Sequence, residues 1–346
     1  MATSTLTIGN ELLSTTMHIL MKDWRDNVHE SVAFLDAQER VHGAGKPVQS
    51  GGSRIVVPLG FGEHSSTTRM QTGFERIDLS VEDVFQPAQY DWGHVVRPVA
   101  ISSEEEMVNQ GDSAVLSILE SRVQMTANAL KREYVKQIVK GGQTGWEDWN
   151  TLNGVDVATG FLEENAVGAQ GNTVGSVSKS TFSGKTGWQN QMFDGSGSFN
   201  ANGLAGLYDL KVEINAVSPS GPPNVILASR AGFKNLKRAL QAHERYVDQS
   251  KIDGGRMVEM FDGVPINVEF NMPNDGTTTT GDPISFYFLN MNDIYTLWDP
   301  QGYFDLSDFE TVSGEYDVRA AKLRCRGQLI AKHLGSSGLA FDLETF

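Results

Sequence analysis

A single cysteine, Cys325, occurs in 346 residues. An internal disulfide is therefore excluded, which fits folding in a reducing compartment. No run of 18 or more apolar residues is present, so no transmembrane helix is expected. The first ten residues, MATSTLTIGN, lack the basic start and apolar stretch of a secretory signal. Positive charge is also scarce: 28 Lys and Arg face 43 Asp and Glu, for a formal net charge of −15. A surface of that sign argues against a dedicated nucleic-acid or anionic-membrane binder. It permits a life beside DNA without gripping it.

Catalytic constellations are missing too. Gly184-Lys185-Thr186 has the end of a phosphate loop, but Lys179 stands where the first glycine of the cradle is required. His243-Glu244 opens a zinc-protease motif whose second histidine position is Val247. Ser176 and Lys179 have β-lactamase spacing in a Gly/Ser-rich stretch rather than at a helix start. Residues 271–282 loosely match a calcium loop, but Pro273 removes an oxygen ligand and the flanks read as strands. The seven histidines are scattered, and Cys325 has no CxxC partner and reads as packing. No cofactor and no metal are expected, and an enzyme using an unrecognised acidic cleft is only a remote alternative.

What the chain does have is length and pattern. At this size roughly 75% of the unfolded surface is hidden on folding, and 39% hydrophobic residues suffice for a sizeable core. Leu13, Met17, Leu20, Trp24 and Val28 form a helical stripe over 8–29. It suits either an N-terminal arm or an ordinary core helix. A β ribbon follows: SRIVVPL (53–59) leads to a small, polar, Gly-bounded tip at 60–73. In the return strand, 74–82, Ile77, Leu79 and Val81 alternate with Arg76, Asp78, Ser80 and Glu82. The return strand spans about 30 Å. Tyr90, Trp92, His94 and Val96 alternate again before Pro98. An isolated ribbon is marginal in water, so this one is expected to complete its core against a partner surface, another copy of the chain or the same subunit.

Ser102-Ser103 and Glu105-Glu106 make two overlapping capping boxes. A long amphipathic helix is predicted over 112–140, with acidic residues before it, basic residues at its end and Gly141 as its stop. Residues 142–203 are rich in Gly, Ser, Asn and Thr yet carry Trp146, Trp149, Phe161, Phe182, Trp188, Phe193 and Phe199. Disordered linkers are poor in aromatics, so an ordered, loop-rich region is predicted. Helices are predicted at 204–217 and 231–241, strands at 224–229 and 284–298, and a hairpin at 257–270 turning on Asp262-Gly263. Along 318–333, apolar Ala321, Leu323, Cys325, Leu329 and Ala331 alternate with Lys322, Arg324, Arg326, Gln328 and Lys332. That basic face is either solvated or set against acidic residues of a neighbour.

The order of these elements resembles the major capsid protein of tailed bacteriophages, with the Hong Kong 97-type fold. GGSRIVVPLGF looks like the opening of that family's extended loop. TVGSVSKSTFSGKTGWQN (173–190) is similar to its Gly-x-x-Ser-Arg-Ser/Ala-Thr…Trp pattern, with Lys179 in place of the more usual Arg, which keeps the charge and loses a bidentate fork. PPNVILASRAGFKNLKRAL, MFDGVPINVEFNMP and ISFYFLNMNDIYTLW look like its axial-domain strands and helix.

The resemblance implies an α+β chain with an arm at 1–50, an extended loop at 51–101 and a peripheral domain at 102–203. An axial domain at 204–305 and returning peripheral strands at 306–346 complete it. It implies hexamers and pentamers closing an icosahedral head around double-stranded DNA, which is held without sequence-specific binding. A portal and possibly scaffold or decoration proteins would be further partners, with no membrane. Localisation would be the virion, assembled in the bacterial host cytoplasm. The short arm implies a separate scaffold or a mature chain. A bacterial encapsulin shell shares the fold and is the alternative. Candidate intersubunit contacts are Trp24 on the arm, Arg54, Arg69, Arg76, Asp78 and Glu82 on the ribbon, and Lys322, Arg324 and Arg326 on the last long strand.

Overall fold

The computed structural model describes residues 33–43, 47–61, 69–71, 73–74, 76, 85–108, 118–182, 187–196, 198–241, 252–253, 256–257, 259–273, 283–311 and 317–346. The predicted helix at 8–29, most of the ribbon tip and nearly all of the 74–82 strand lie outside these residues.

The first described helix, α1 (Ala33–His42), buries Phe34, Leu35, Ala37 and Gln38. Strand β1 (Arg54–Gly60) alternates strictly, with Ile55, Val57 and Leu59 inward. Its partner is β2 (Phe85–Asp91), in antiparallel register from Arg54↔Asp91 to Gly60↔Phe85. The return strand of the described ribbon is therefore 85–91, beyond the stretch predicted from sequence. Pro58 faces Pro87 across the pair, where neither nitrogen has a proton to donate. The inner face of this ribbon root is covered by its own chain: Ile55, Val57, Leu59, Ala88 and Tyr90 join the main core. Only the outer face, with Val56, Pro58, Phe85 and Pro87, stays exposed.

Strand β3 (Gly93–Ser102) runs directly into α2 (Ser103–Val108). The junction is a reciprocal capping box: Ser102 N donates to Glu105 Oε2 at 3.2 Å, and Glu105 N to Ser102 Oγ at 3.2 Å. Arg122 holds the Glu105 carboxylate with both guanidinium nitrogens, at 2.8 and 2.6 Å. That pair, with the Ser102 N–H, holds the Glu105 carboxyl down at about 2. A titration of Glu105 by NMR is therefore expected to show its midpoint well below the usual glutamate range, and Arg122→Gln to return it most of the way.

The long helix α3 spans Ile118–Val139, about 33 Å at 1.5 Å per residue. The predicted start at 112 lies outside the described residues. Leu130, Tyr134, Val135, Ile138 and Val139 are buried, whereas Val123 and Ala127 are half-buried and Met125 is exposed. Gly141 ends the helix at φ +78, donating to Gln137 O. A Cβ there would also meet Thr151 at 3.1 Å. Gly141→Ala is expected to cost about 1–2 kcal/mol, read as a lower denaturant midpoint at unchanged slope.

After the loop-rich region come β4 (Gln191–Asp194), α4 (Leu204–Val217), β5 (Val225–Ala228) and α5 (Arg230–Gln241). The predicted hairpin appears as β6 (Glu259–Phe261) and β7 (Val264–Val268). Asp262 and Gly263 both have positive φ, as a type I′ turn requires. The stretch 284–298, read from sequence as one strand, is two: β8 (Ile284–Leu289) and β9 (Ile294–Trp298). Asn290 breaks it. Its carbonyl accepts from Asp293 N and Ile294 N, and its side chain from Asn292 N, an Asx-type reversal. Short strands β10 (Asp305–Leu306) and β11 (Glu310–Thr311) precede the long β12 (Val318–Ala331) and the last strand, β13 (Gly338–Phe341).

Two sheets organise the chain. One has the order β6-β7-β5-β8-β13-β4. It is buried on both faces: Val225, Leu227, Tyr287 and Leu289 enter the main core, while Ile226, Ala228, Phe286 and Phe288 pack on α4 and α5. The other centres on β12, which pairs with β3, β9, β10 and β11. Its inner face meets α3 through Tyr134, Trp149 and Trp298, whose rings lie within 5.1–5.8 Å of one another. Sheet membership crosses the positions 204 and 305 expected for the axial domain. Strands 191–194 and 338–341 join the first sheet, and 294–298 joins the second.

Candidate assembly surface

The outer face of the second sheet gathers cations. Antiparallel pairing of β12 with β3 sets Lys322 opposite Pro98, Arg324 opposite Val96 and Arg326 opposite His94. Leu323 and Cys325 point into the core between them. Burial pushes the Cys325 thiol far up, so it stays neutral and serves packing. Of the alternation predicted for 318–333, the stretch 318–326 shows it, with Lys322 and Arg324 exposed and Arg326 half-buried; 327–331 is buried throughout, Gln328 included, because that half of the strand is covered on both faces. These residues line an open groove of about 500 Å³ with Trp92, His94, Val96, Asp299, Gln301 and Gly302. Arg326 is already engaged, by Asp299 at 3.2 Å and by stacking over Trp92. Lys322 and Arg324 have no ion-pair partner among the described residues.

The other candidates are spread out. Arg54 sits on the exposed face of the ribbon root, paired with Asp91 at 2.8 Å and donating to Gln89 at 3.3 Å. Arg69 and Arg76 are exposed. Trp24, Asp78 and Glu82 lie outside the described residues. The groove therefore unites the three C-terminal cations with His94 and Trp92, which sequence reasoning saw only as part of an alternating run.

The ribbon root is fixed by a small hairpin, Thr173–Val174 with Val177–Ser178. Gln89 N donates to Gly175 O at 2.8 Å. A Cβ on Gly175 would lie 2.8 Å from the Tyr90 ring and 2.9 Å from the Ala88 methyl, so only glycine lets the hairpin close on the ribbon. Tyr90 in turn donates its hydroxyl to Ala331 O at 3.1 Å.

Behind that hairpin lies a polar knot that sequence reasoning missed. Lys179 is completely buried. Its Nζ donates to Phe161 O at 2.8 Å and Asn190 Oδ1 at 2.9 Å, and lies 3.3 Å from the Glu163 carboxylate. Glu163 also accepts from Gly171 N and Asn172 N. Gln170 ties in through its contacts with Asn190. Desolvation lowers the Lys179 ammonium to about 8 against the pull of Glu163, which leaves it charged at neutral pH. Its position in the Gly-x-x-Ser-Lys-Ser stretch was the only available signal. The knot locks loops 161–172 and 187–191 together and presents nothing to solvent.

Among the described residues no group of three or more His, Cys, Asp or Glu is placed to hold a metal ion. No described helix is long and apolar enough to cross a membrane. The Gly184 and His243 fragments lie outside the described residues. Ser176 sits in a tight turn at φ +64.

No family model matches this sequence, and no curated protein sequence does. Solved structures do. A capsid chain of cyanophage A-1(L) aligns over 97% of this chain and 98% of its own, with a TM-score of 0.62 and 14% identity. A capsid chain of a native GTA particle aligns over 96% of each, with a TM-score of 0.59 and 13% identity. A chain of the holo-SrpI encapsulin complex from Synechococcus elongatus PCC 7942 aligns over 97% and 95%, with a TM-score of 0.58 and 11% identity. Likeness at such low identity, sustained across the whole chain, speaks to architecture, and the architecture is the α+β Hong Kong 97-type capsid fold.

Proposed function

We propose that this chain is a structural protein, the major capsid protein of a tailed phage, assembling as hexamers and pentamers into an icosahedral head around double-stranded DNA. The observation that carries this reading is end-to-end similarity of fold to several phage capsid chains. The acidic balance of the chain, −15, suits a lumen in which DNA is packed and released. A cationic wall would bind DNA strongly by counterion release. The extended loop (51–101), arm (1–50), peripheral segments (102–203 and 306–346) and axial segment (204–305) take their roles from this reading. So do Trp24, Arg54, Arg69, Arg76, Asp78 and Glu82 as contacts between copies, and a portal, scaffold or decoration protein as further partners. The virion is the place of residence and the bacterial cytoplasm the place of assembly.

The encapsulin chain gives the second reading its support. Electron micrographs of the purified chain are expected to show closed shells, and a strictly monomeric species under all conditions would overturn both readings. Nuclease-protected, genome-length DNA inside native particles supports the phage head. A cargo enzyme in DNA-free shells supports the encapsulin.

A further inference from the structure

On the reading that this chain encloses double-stranded DNA, we propose that the exposed face of α5 is where each copy touches the phosphate backbone of that DNA, and that this face looks into the lumen. The helix, Arg230–Gln241, contains no acidic residue. Gly232, Asn235 and Leu236 are buried on its inner side, with Phe233, Ala239 and Leu240 packed against the core beside them. The opposite side carries Arg230, Lys234, Lys237 and Arg238, all exposed. They stand at i, i+4, i+7 and i+8, which is one stripe of an α-helix. On a chain of net charge −15 this stripe is a local exception. Arg230, Lys234 and Arg238 have no ion-pair partner among the described residues.

Local stability does not account for the stripe. Arg230 stands in the first turn, where the helix dipole disfavours a cation. Arg230 with Lys234, and Lys234 with Arg238, are like-charge pairs at i, i+4, which repel. Two of the cations are also held rather than left to swing: Arg230 lies over the Phe270 ring at 5.0 Å and Arg238 over the Phe346 ring at 5.6 Å. A polyanion relieves such an arrangement. From Arg230 to Arg238 the helix rises about 12 Å. Duplex DNA carries one charge per about 1.7 Å of its axis, so roughly seven phosphates pass over the same length and each cation meets one. An acidic protein segment would need its carboxylates placed in register, whereas a phosphate backbone offers the same charge density wherever it lies. These contacts are also few. Raising salt from about 50 to 200 mM weakens a set of this size roughly a hundredfold. Each copy therefore restrains the DNA weakly, which is compatible with an otherwise acidic wall that lets the genome be packed and released.

The test is binding of a short, random-sequence DNA duplex to the purified full chain, read by fluorescence anisotropy over a salt series. The parent is expected to bind with a log–log salt slope of about −3 to −4. Arg230→Gln, Lys234→Gln, Lys237→Gln and Arg238→Gln, added one after another, are expected to lower that slope by about 1 each. Lys322→Gln with Arg324→Gln, on the other sheet, is expected to leave it unchanged. A parent that binds no duplex at low salt overturns the proposal, as does a slope that the α5 changes do not move. All the altered side chains are exposed, so circular dichroism is expected to show folded subunits, and the combined α5 variant is expected to assemble closed particles. Folded subunits that no longer assemble would set this face between copies and overturn the lumen assignment. As a second readout, formaldehyde treatment of DNA-filled particles is expected to join Lys234 or Lys237 to the genome. Particles in which other lysines couple to DNA while these stay unlinked overturn the assignment as well. Native particles without DNA would remove the phage-head reading on their own account, whereas a duplex slope indifferent to the α5 changes removes only this contact.

Discussion

Replacing Lys179 with methionine is expected to lower the unfolding free energy of the subunit by about 3–5 kcal/mol, the usual result of removing one partner from a buried ion pair. Methionine fills most of the volume, so a cavity is a small part of the loss. The larger part is the Glu163 carboxylate, 3.3 Å away and itself buried, left without its countercharge. Two backbone donors, Gly171 N and Asn172 N, remain on Glu163 and limit the damage without supplying net charge. Phe161 O loses its 2.8 Å donor as well. Denaturant unfolding of the isolated subunit measures the effect, and a loss below about 1 kcal/mol would place the pair among surface-type interactions. Adding Glu163→Gln to Lys179→Met is expected to cost less than the two single changes together, because the second change removes the orphaned charge.

A pH dependence follows from the same burial. The Lys179 ammonium loses its proton at about 8 in the folded chain, against about 10.5 unfolded. Between those values the unfolded chain binds more protons, so this group makes stability rise with pH across that window. The gain is absent in Lys179→Met. Comparing the two chains from pH 7 to 10 isolates it from other alkaline effects, and parallel curves would show that Lys179 keeps its charge throughout.

This knot shows why part of the fold was legible in the sequence and part was not. The capping box at Ser102 and Glu105, the stop at Gly141 and the Asp262-Gly263 turn depend on residues within four positions of one another, and each stands where it was read. The face alternation of β12 over 318–326 is local as well, whereas the burial of Gln328 beyond it depends on loops brought from elsewhere. The split of 284–298 hinged on Asn290, whose side-chain and carbonyl bonds outweighed a continuous apolar run. The six-stranded sheet was not legible, because its pairs join residues far apart in the chain, Ala228 with Phe286, Phe288 with Gly338 and Gly338 with Gln191. Nor was the groove: Trp92, Asp299 and Arg326 meet only once β3, β9 and β12 have paired. Lys179 could be judged from sequence only as an arginine substitute. Its acceptors come from two separate loops, and its chemistry is burial, which composition does not report.

Deleting residues 62–72 is expected to abolish shell formation while leaving a folded, soluble subunit. The ribbon's own-chain anchoring makes the two outcomes separable. Everything the root contributes to the core lies outside 62–72: Ile55, Val57, Leu59 and the partly buried Phe61 on one side, Ala88 and Tyr90 on the other. Gln89 N to Gly175 O and Tyr90 to Ala331 O fasten the second strand to the body. A short Gly-Ser joint in place of 62–72 leaves all of these intact, so the melting temperature of the subunit is expected to move by only a few degrees. What is lost is reach. At about 3.3 Å per residue the chain between Gly60 and Phe85 has contour enough for ~40 Å out and back, sufficient to lie over a neighbour, and the deletion removes nearly half of that length. Micrographs and sedimentation then show free subunits or small oligomers in place of closed particles. An unfolded product would mean that the tip belongs to the subunit's own core. Normal shells would mean that the ribbon's distal half is dispensable to assembly, and the contact between copies would have to be sought on the exposed parts of α3 and α4 instead.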